Sequence, residues 1–111
     1  MDPTKNWAYV DFYYADLHLP VISGIYAVFA ARCGRDICIY VGQSKNLKER
    51  WRQHHKALAC LREGGDFIRY MPIPIEQLND KEQEFINYFE PALNIKSTTG
   101  RLQALPTSIM E

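Results

Sequence analysis

The sequence predicts a small α+β domain, in which a mainly antiparallel three-stranded sheet is flanked by helices. Two apolar, β-branched runs at 22–30 and 37–42 are joined by a short loop that contains Gly34, which is typical of a hairpin. A third apolar run at 67–73 lies between two segments whose apolar residues have helical spacing. The order strand, strand, helix, strand, helix favours a short sheet with helices packed against it.

Length and composition indicate one domain. A chain of 111 residues with 47 % apolar and 23 % charged residues suits a single compact fold with one small core. We expect the core to span 23–94, with an N-terminal extension at 1–22 and a loosely held tail at 95–111. The extension is rich in aromatic residues but has no clean period, so the sequence assigns it no element; its side chains could cover one edge of the core.

The two strands of the predicted hairpin carry Tyr26 and Tyr40. A turn near Gly34 roughly bisects the sequence between them, so they fall within about two positions of facing each other. If the register puts both on one face, such diagonal neighbours lie about 7–8 Å apart and their hydroxyls can converge. Gly42 removes a side chain beside that point, which would let a ligand approach. Tyrosine is also an ordinary strand residue, so a purely structural role stays open.

The first helix is predicted over 47–63, with Asn46 as its N-cap and two glycines, at 64–65, at its end. Arg50 and His54 are four residues apart and therefore project from one face of this helix. The predicted buried stripe borders that face and consists of Leu47, Trp51, Leu58 and Leu61. A solvated basic helix is the alternative interpretation.

The second helix is predicted over 79–90. Glu82 lies three and four residues before Phe85 and Ile86 of its apolar stripe. Because burying a carboxylate without a partner is costly, this position suggests a function. The pattern Asn79-x-x-Glu82 also spells a capping box, in which the carboxylate would reach back to the backbone. Both roles stay open at this point.

The net charge is zero, with 13 basic and 13 acidic residues, which argues weakly against a nucleic-acid-binding protein. The basic residues are nevertheless concentrated between 45 and 62, where Glu49 is the single acid, and the acids collect largely between 76 and 90. A neutral total can therefore hide one positive face.

The cysteines favour a reduced protein in the cytoplasm. Cys33, Cys38 and Cys60 are odd in number and show no metal-type pairing, and no signal peptide is apparent, so we expect an intracellular protein with small buried thiols. No apolar run reaches the roughly 18 residues that a membrane span needs, so we expect no membrane partner.

Three stretches resemble a known family: S-G-I-Y at 23–26, I-Y-V-G-Q-S-K-N-L-K-E-R-W-R-Q-H at 39–54, and E-Q-E-F-I-N-Y-F-E-P-A-L-N at 82–94. Together they resemble the GIY-YIG nucleases, which include the catalytic domains of certain homing endonucleases, an incising subunit of nucleotide-excision repair and some restriction enzymes. The resemblance spans roughly 23–94. It implies a metal-dependent DNA endonuclease that hydrolyses phosphodiester bonds, acting in DNA repair or in a mobile element.

The resemblance also implies roles for individual residues. The implied catalytic set is Tyr26, Tyr40, Arg50, His54 and Glu82. Glu82 would bind Mg²⁺ or Mn²⁺, Arg50 would grip the scissile phosphate, and Tyr26 would activate water with Tyr40 beside it, although the two tyrosines could exchange roles. Glu82 is preferred over the nearby Glu84 because its spacing to the following apolar residues fits the family pattern.

The implied substrate-binding residues are Gly42, Gln43, Lys45, Arg52 and Asn94. Gln43 stands where several members have lysine, so a cationic role at that position stays open. The implied partner is DNA, and because members often borrow specificity from additional domains, a partner protein or further domain could choose the target.

Two other classes of function compete with this interpretation. One is a catalytically inactive nucleic-acid-binding module of the same fold, in which the basic helix, Trp51 and the tyrosines form a stacking and phosphate-binding surface. The other is an interaction domain that uses the aromatic N-terminus as a dimer surface. The complete set of site residues, including the carboxylate of Glu82, favours the nuclease.

Overall fold

The computed structural model describes residues 3–52 and 56–94. Within them the α+β class is confirmed, as an antiparallel sheet with helices on both faces. The strands are β1 Ala8–Asp11, β2 Gly24–Arg32, β3 Arg35–Ser44 and β4 Phe67–Pro72. The helices are α1 Ala15–His18, α2 Leu47–Arg52, α3 Lys56–Arg62 and α4 Leu78–Phe89, with 3-10 turns at Phe12–Tyr14 and Ile75–Gln77.

The sheet has four strands in the order β1-β4-β2-β3, and every neighbouring pair is antiparallel. The prediction of three strands was therefore wrong, because the N-terminal extension supplies β1, which pairs with β4. Val10 is the one buried residue of β1, so this edge strand lacks the apolar alternation by which a strand is recognised in a sequence.

The predicted hairpin is confirmed, and it contains an irregularity that the sequence did not reveal. Cys33 and Gly34 both have positive φ, 53° and 77°, which is the pattern of a two-residue type I′ turn. Between Val28 and Phe29 the register shifts, because Val28 pairs with Tyr40 whereas Phe29 pairs with Cys38. One extra residue on β3 is thus accommodated as a β-bulge.

The bulge decides which face Tyr40 occupies. Beyond it, Tyr26 pairs with Gly42 and Val28 pairs with Tyr40, so the two tyrosines are diagonal neighbours on one face, which the sequence had left open. A ladder that continued regularly from the turn would instead put Tyr40 opposite Ala27. A slip of one residue moves a side chain to the other face, so Tyr26 and Tyr40 would then be separated by the sheet.

Each face of the sheet has its own core. On the first face, Tyr26 and Val28 pack with Phe12, Trp51 and Cys60 from the segments that cover it. On the second face, buried strand residues pack with Leu78 and with the half-buried stripe of α4, which consists of Phe85, Ile86 and Phe89. The predicted apolar face of the second helix is confirmed.

The N-terminus of α2 is held by the extension. The Asn46 side chain caps this helix as predicted, since its Oδ1 accepts from the Glu49 amide at 3.1 Å. The first free amides of the helix donate to the segment that precedes β2: Leu47 N to Ile22 O at 2.9 Å and Lys48 N to Pro20 O at 3.1 Å. The orphan donors of the first turn are thereby satisfied.

Side chains of α2 bind the same extension. Lys48 Nζ donates to the carbonyl oxygens of Asp16 at 2.9 Å and Leu17 at 3.0 Å, in α1. Phe12 meets Trp51 edge to face, with ring centroids 5.5 Å apart. The sequence suggested only that the aromatic side chains of the extension could cover one edge of the core. In the structure the extension packs into the core of the first face.

Two expectations about the remaining helices need correction. Leu58 and Leu61 were expected in the buried stripe but are 52 % and 44 % exposed, and Cys60 is the buried residue of α3. The capping box is absent, because α4 begins at Leu78, which places Asn79 inside the helix, and its N-cap makes no side-chain hydrogen bond. Residues 53–55 of the predicted first helix lie outside the described residues.

The cysteines only partly follow the expectation of buried thiols. Cys38 and Cys60 are buried, whereas Cys33 is exposed at the hairpin turn. Among the residues that the structure describes, no helix is long and apolar enough to cross a membrane.

Candidate active site

Tyr26 and Tyr40 form the centre of the candidate site on the first face. Both side chains are buried, and their ring centroids are 6.0 Å apart. Gly42 lies opposite Tyr26, and a Cβ at this position would come within 2.5 Å of the tyrosine Cζ and Oη atoms. Glycine is therefore needed here so that the phenol can lie across the strand. The space that it leaves is taken by Tyr26, and its predicted contact with substrate stays a prediction.

Helix α2 brings Arg50 to the two phenols. The neighbouring residue, Trp51, packs edge to face against Tyr26 with ring centroids 6.0 Å apart, which fixes the helix above the tyrosine. Arg50 itself is exposed, and its guanidinium lies close enough to act on the hydroxyl of Tyr26 through charge and hydrogen bonding. The prediction that Arg50 borders the core and adjoins the tyrosines is consistent with this geometry.

The two phenols are held in their neutral form. Burial raises the pKa of Tyr26 well above its usual value, Tyr40 adds to this, and Arg50 opposes it. Burial likewise raises the pKa of Tyr40, where Arg50 again acts in the opposite direction and Glu82 adds to the rise. The lowered Tyr26 pKa that a general base needs is therefore absent from the chain alone.

Glu82 reaches the site from α4 on the second face. Its negative charge raises the pKa of Tyr40, so the carboxylate lies within electrostatic range of that phenol. This approach is possible because β3 is an edge strand against which α4 packs. Glu82 is half-buried whereas Glu84 is exposed, which agrees with the preference for Glu82.

Gln43 contacts Glu82 directly. Its Nε2 donates to Glu82 Oε1 at 3.0 Å and to Asn79 Oδ1 at 2.6 Å. A neutral amide thus occupies the position at which a cationic side chain was considered. Its predicted contact with substrate stays a prediction.

Asn94 completes the edge of β3. Its Oδ1 accepts from Val41 N at 2.8 Å and its Nδ2 donates to Val41 O at 2.9 Å, so its amide imitates a neighbouring strand. This pairing satisfies two backbone groups beside Tyr40 and gives Asn94 a positioning role. Binding of substrate by Asn94 stays a prediction.

The other predicted site residues are not joined to this cluster. Lys45 follows β3 and Arg52 ends α2; both are exposed, and no contact within the described ranges connects them to the tyrosines. His54 lies outside the described residues. Two residues that the sequence did not suggest adjoin the site: Cys60, whose thiol adds to the raised pKa of both tyrosines, and Asn79. Asn79 had a signal, its spacing to Glu82, which also fits a capping box.

The donor set at α4 fits a hard divalent cation. In the ranges 3–52 and 56–94, no three His, Cys, Asp or Glu residues are grouped so that they could share a metal ion. Mg²⁺ does not require such a cage, because it usually keeps several waters and binds one or two carboxylates. The half-buried carboxylate of Glu82 offers oxygen ligands of the type that Mg²⁺ and Mn²⁺ accept.

The fold and the sequence resemble known proteins. The N-terminal endonuclease domain of UvrC from Thermotoga maritima, in its magnesium-bound form, matches with a TM-score of 0.58 and 22% identity over 73% of this chain and 92% of that one. Point mutants of the same domain, bound to its catalytic divalent cation, match at 21% to 22% identity with the same TM-score, over 73% of this chain and 91% of theirs. No curated protein sequence matches significantly. The family model of the GIY-YIG catalytic domain matches residues 23–94, and the chain therefore belongs to the GIY-YIG family.

Proposed function

We propose that this protein is a metal-dependent endonuclease that hydrolyses phosphodiester bonds of DNA. The observation that carries the proposal is the convergence of two phenols, the guanidinium of Arg50 and the carboxylate of Glu82 at one edge strand. These are the groups that the family resemblance assigned to catalysis, and they come from four different elements, β2, β3, α2 and α4.

The reaction needs positive charge at the phosphate. Its transition state places negative charge on the phosphoryl oxygens and on the leaving sugar oxygen. Arg50 is the exposed cation next to the phenols, and its planar fork suits two phosphate oxygens at once. It is therefore proposed to hold the scissile phosphate over the tyrosines.

Glu82 is proposed to hold the divalent cation, Mg²⁺ or Mn²⁺. When bound, the cation would supply Lewis-acid stabilisation of the leaving oxygen and a positive charge that favours phenolate. The carboxylate is half-buried and oriented by Gln43, so it is available without a large rearrangement of the side chain.

Tyr26 is proposed to accept the proton of the attacking water, with Tyr40 hydrogen-bonding the water or the phosphate. An isolated tyrosine has a pKa near 10 and is a poor base at neutral pH. Burial raises the pKa of Tyr26 further, so its action as a base depends on the positive charge of the divalent cation in addition to that of Arg50. Cleavage that depends on Tyr26 should accordingly be faster at alkaline pH.

The proposal is tested by incubating the protein with supercoiled plasmid, branched DNA and single strands, in Mg²⁺, Mn²⁺ or EDTA. We expect metal-dependent nicking that Glu82→Ala and Tyr26→Phe each reduce about 100-fold or more. Glu84→Ala is the matched control on the same helix, because Glu84 is exposed and pairs only at the surface, with Lys81 at 3.4 Å; it should cleave like the parent protein.

Two results would contradict the proposal. Metal-independent, salt-sensitive DNA binding without cleavage would identify the catalytically inactive binding module instead. Near-normal cleavage by Tyr26→Phe would exclude the base role of Tyr26 alone.

A cytoplasmic location, a role in repair or in a mobile element, and a partner that selects the target are further parts of the proposal. The plasmid and branched-DNA arms show which DNA structure is cut.

A further inference from the structure

The side chain of Gln43 ties the edge strand to the first turn of α4. It leaves β3 on the second face, opposite Ile25, and its amide nitrogen donates to both Asn79 and Glu82. Asn79 and Glu82 are three residues apart and hence neighbours on the helix surface. A single NH₂ group therefore spans the gap between strand and helix at the proposed metal ligand.

The two hydrogen bonds use both protons of the amide. The contact to Asn79 Oδ1, at 2.6 Å, anchors Gln43, and the contact to Glu82 Oε1, at 3.0 Å, then fixes the direction of the carboxylate. Within the described residues Gln43 is the only hydrogen-bond donor to that carboxylate, and the atom that it contacts is Oε1. A carboxylate held in this way loses less rotamer freedom when it binds a cation.

The charge of the donor matters as well as its position. Glutamine is neutral, so it orients Glu82 without compensating the negative charge that attracts a divalent cation. Hydrogen-bonding partners that orient a metal ligand typically contribute 10-fold to 100-fold in metal affinity. We propose that Gln43, anchored by Asn79, is a positioning residue that presents the Glu82 carboxylate to a divalent cation such as Mg²⁺ or Mn²⁺. This inference rests on the proposed function, since it assumes that Glu82 is the ligand.

The test measures Mn²⁺ binding to the free protein, without DNA, by calorimetry and by the electron paramagnetic resonance signal of unbound Mn²⁺. Gln43→Ala should weaken Mn²⁺ binding about 10-fold or more while the melting temperature measured without metal stays close to that of the parent protein. Asn79→Ala, at an exposed position, should weaken binding in the same direction by a smaller factor, and it replaces Gln43→Ala if that variant does not fold.

Gln83→Ala is the matched control. Gln83 lies on α4 and makes an equivalent amide contact, from its Nε2 to Asn87 Oδ1 at 2.9 Å, but on the exposed side of the helix. This variant should bind Mn²⁺ as the parent does. Unchanged Mn²⁺ affinity in both Gln43→Ala and Asn79→Ala would overturn the inference.

The same titration separates failure of the inference from failure of the proposed function. If the parent protein binds Mn²⁺ and Glu82→Ala does not, Glu82 is the ligand, and unchanged affinity in Gln43→Ala then refutes the positioning role alone. If the parent binds no Mn²⁺, or Glu82→Ala binds it equally well, the proposed ligand is wrong and the role of Gln43 is refuted with it.

Discussion

The two faces of the sheet are covered in different ways. The first face carries the two phenols and is covered by several segments, namely a 3-10 turn, α1, α2 and α3. The second face is covered mainly by α4, a helix of 12 residues with one apolar stripe, against which Trp7 of the N-terminal extension also packs. The phosphate-binding side of the site therefore draws on several segments of the chain, and the carboxylate side mainly on one helix.

The comparison shows why the N-terminal extension matters for a site to which it contributes no catalytic group. The extension holds α2 through two backbone hydrogen bonds, through Lys48 and through Phe12. The family match begins at residue 23, so this support lies outside it. The position of Arg50 thus depends on residues that no family motif contains.

The largest expected effect comes from removing the support of the first face. Phe12→Ala deletes a buried ring that packs against Trp51 and should lower the free energy of unfolding by about 3–5 kcal/mol. Chemical denaturation measures this change. The control is Tyr13→Ala, because Tyr13 is 68% exposed and its loss should change stability by no more than about 0.5 kcal/mol. Equal effects would mean that the extension does not support α2.

A smaller effect is expected at the edge strand where the two faces meet. Gly42→Ala places a methyl group 2.5 Å from the Tyr26 ring, which should cost about 1–3 kcal/mol of unfolding free energy. Combination with Tyr26→Leu, which removes the ring, should recover part of that loss, and a double-mutant cycle measures the coupling. Gly34→Asn is the control, since nothing lies within 4 Å of a Cβ there and asparagine tolerates positive φ. Additive effects in the cycle would exclude the predicted collision.

The smallest expected effect is a change in how the unfolding free energy depends on pH, and it arises from Tyr26 on the first face. Burial raises the pKa of Tyr26 in the folded state, so unfolded chains lose this proton first and the stabilisation present below about pH 10 is lost as pH rises above it. Tyr26→Phe should flatten the fall of unfolding free energy in that range. Tyr13→Phe, at an exposed position, should follow the parent curve. An unchanged slope in Tyr26→Phe would contradict the burial of an ionisable phenol.

Continuous apolar runs and one amphipathic helix were predictable from the sequence. The hairpin strands and β4 are apolar runs, α4 has one apolar stripe at helical spacing, and the N-cap at Asn46 has a local chemical cause. β1 was not predicted, because its single buried residue, Val10, produces no recognisable period of apolar residues. Leu58 and Leu61 were misassigned because spacing shows which residues share a helix face but not which face the rest of the protein covers.

The candidate site was predictable as a set of residues but not as a geometry. The resemblance identified Tyr26, Tyr40, Arg50 and Glu82, and the hairpin argument brought the tyrosines close together. Whether they share a face depends on the bulge, and nothing in the letters between Cys38 and Tyr40 marks it. The contact of Gln43 with Glu82 was also inaccessible, because it joins a strand and a helix that are far apart in the chain.

The bulge has a consequence for how the length of this hairpin can change. Ile39 is the extra, unpaired residue of β3. A deletion of one residue from β3 between the turn and Tyr40 would therefore restore a regular ladder, in which Tyr40 still pairs with Val28. β2 has no extra residue in this region, so a deletion between Phe29 and Arg32 would require a second irregularity in the ladder. A one-residue deletion near the turn should therefore make the ladder regular when it falls on β3 and add an irregularity when it falls on β2.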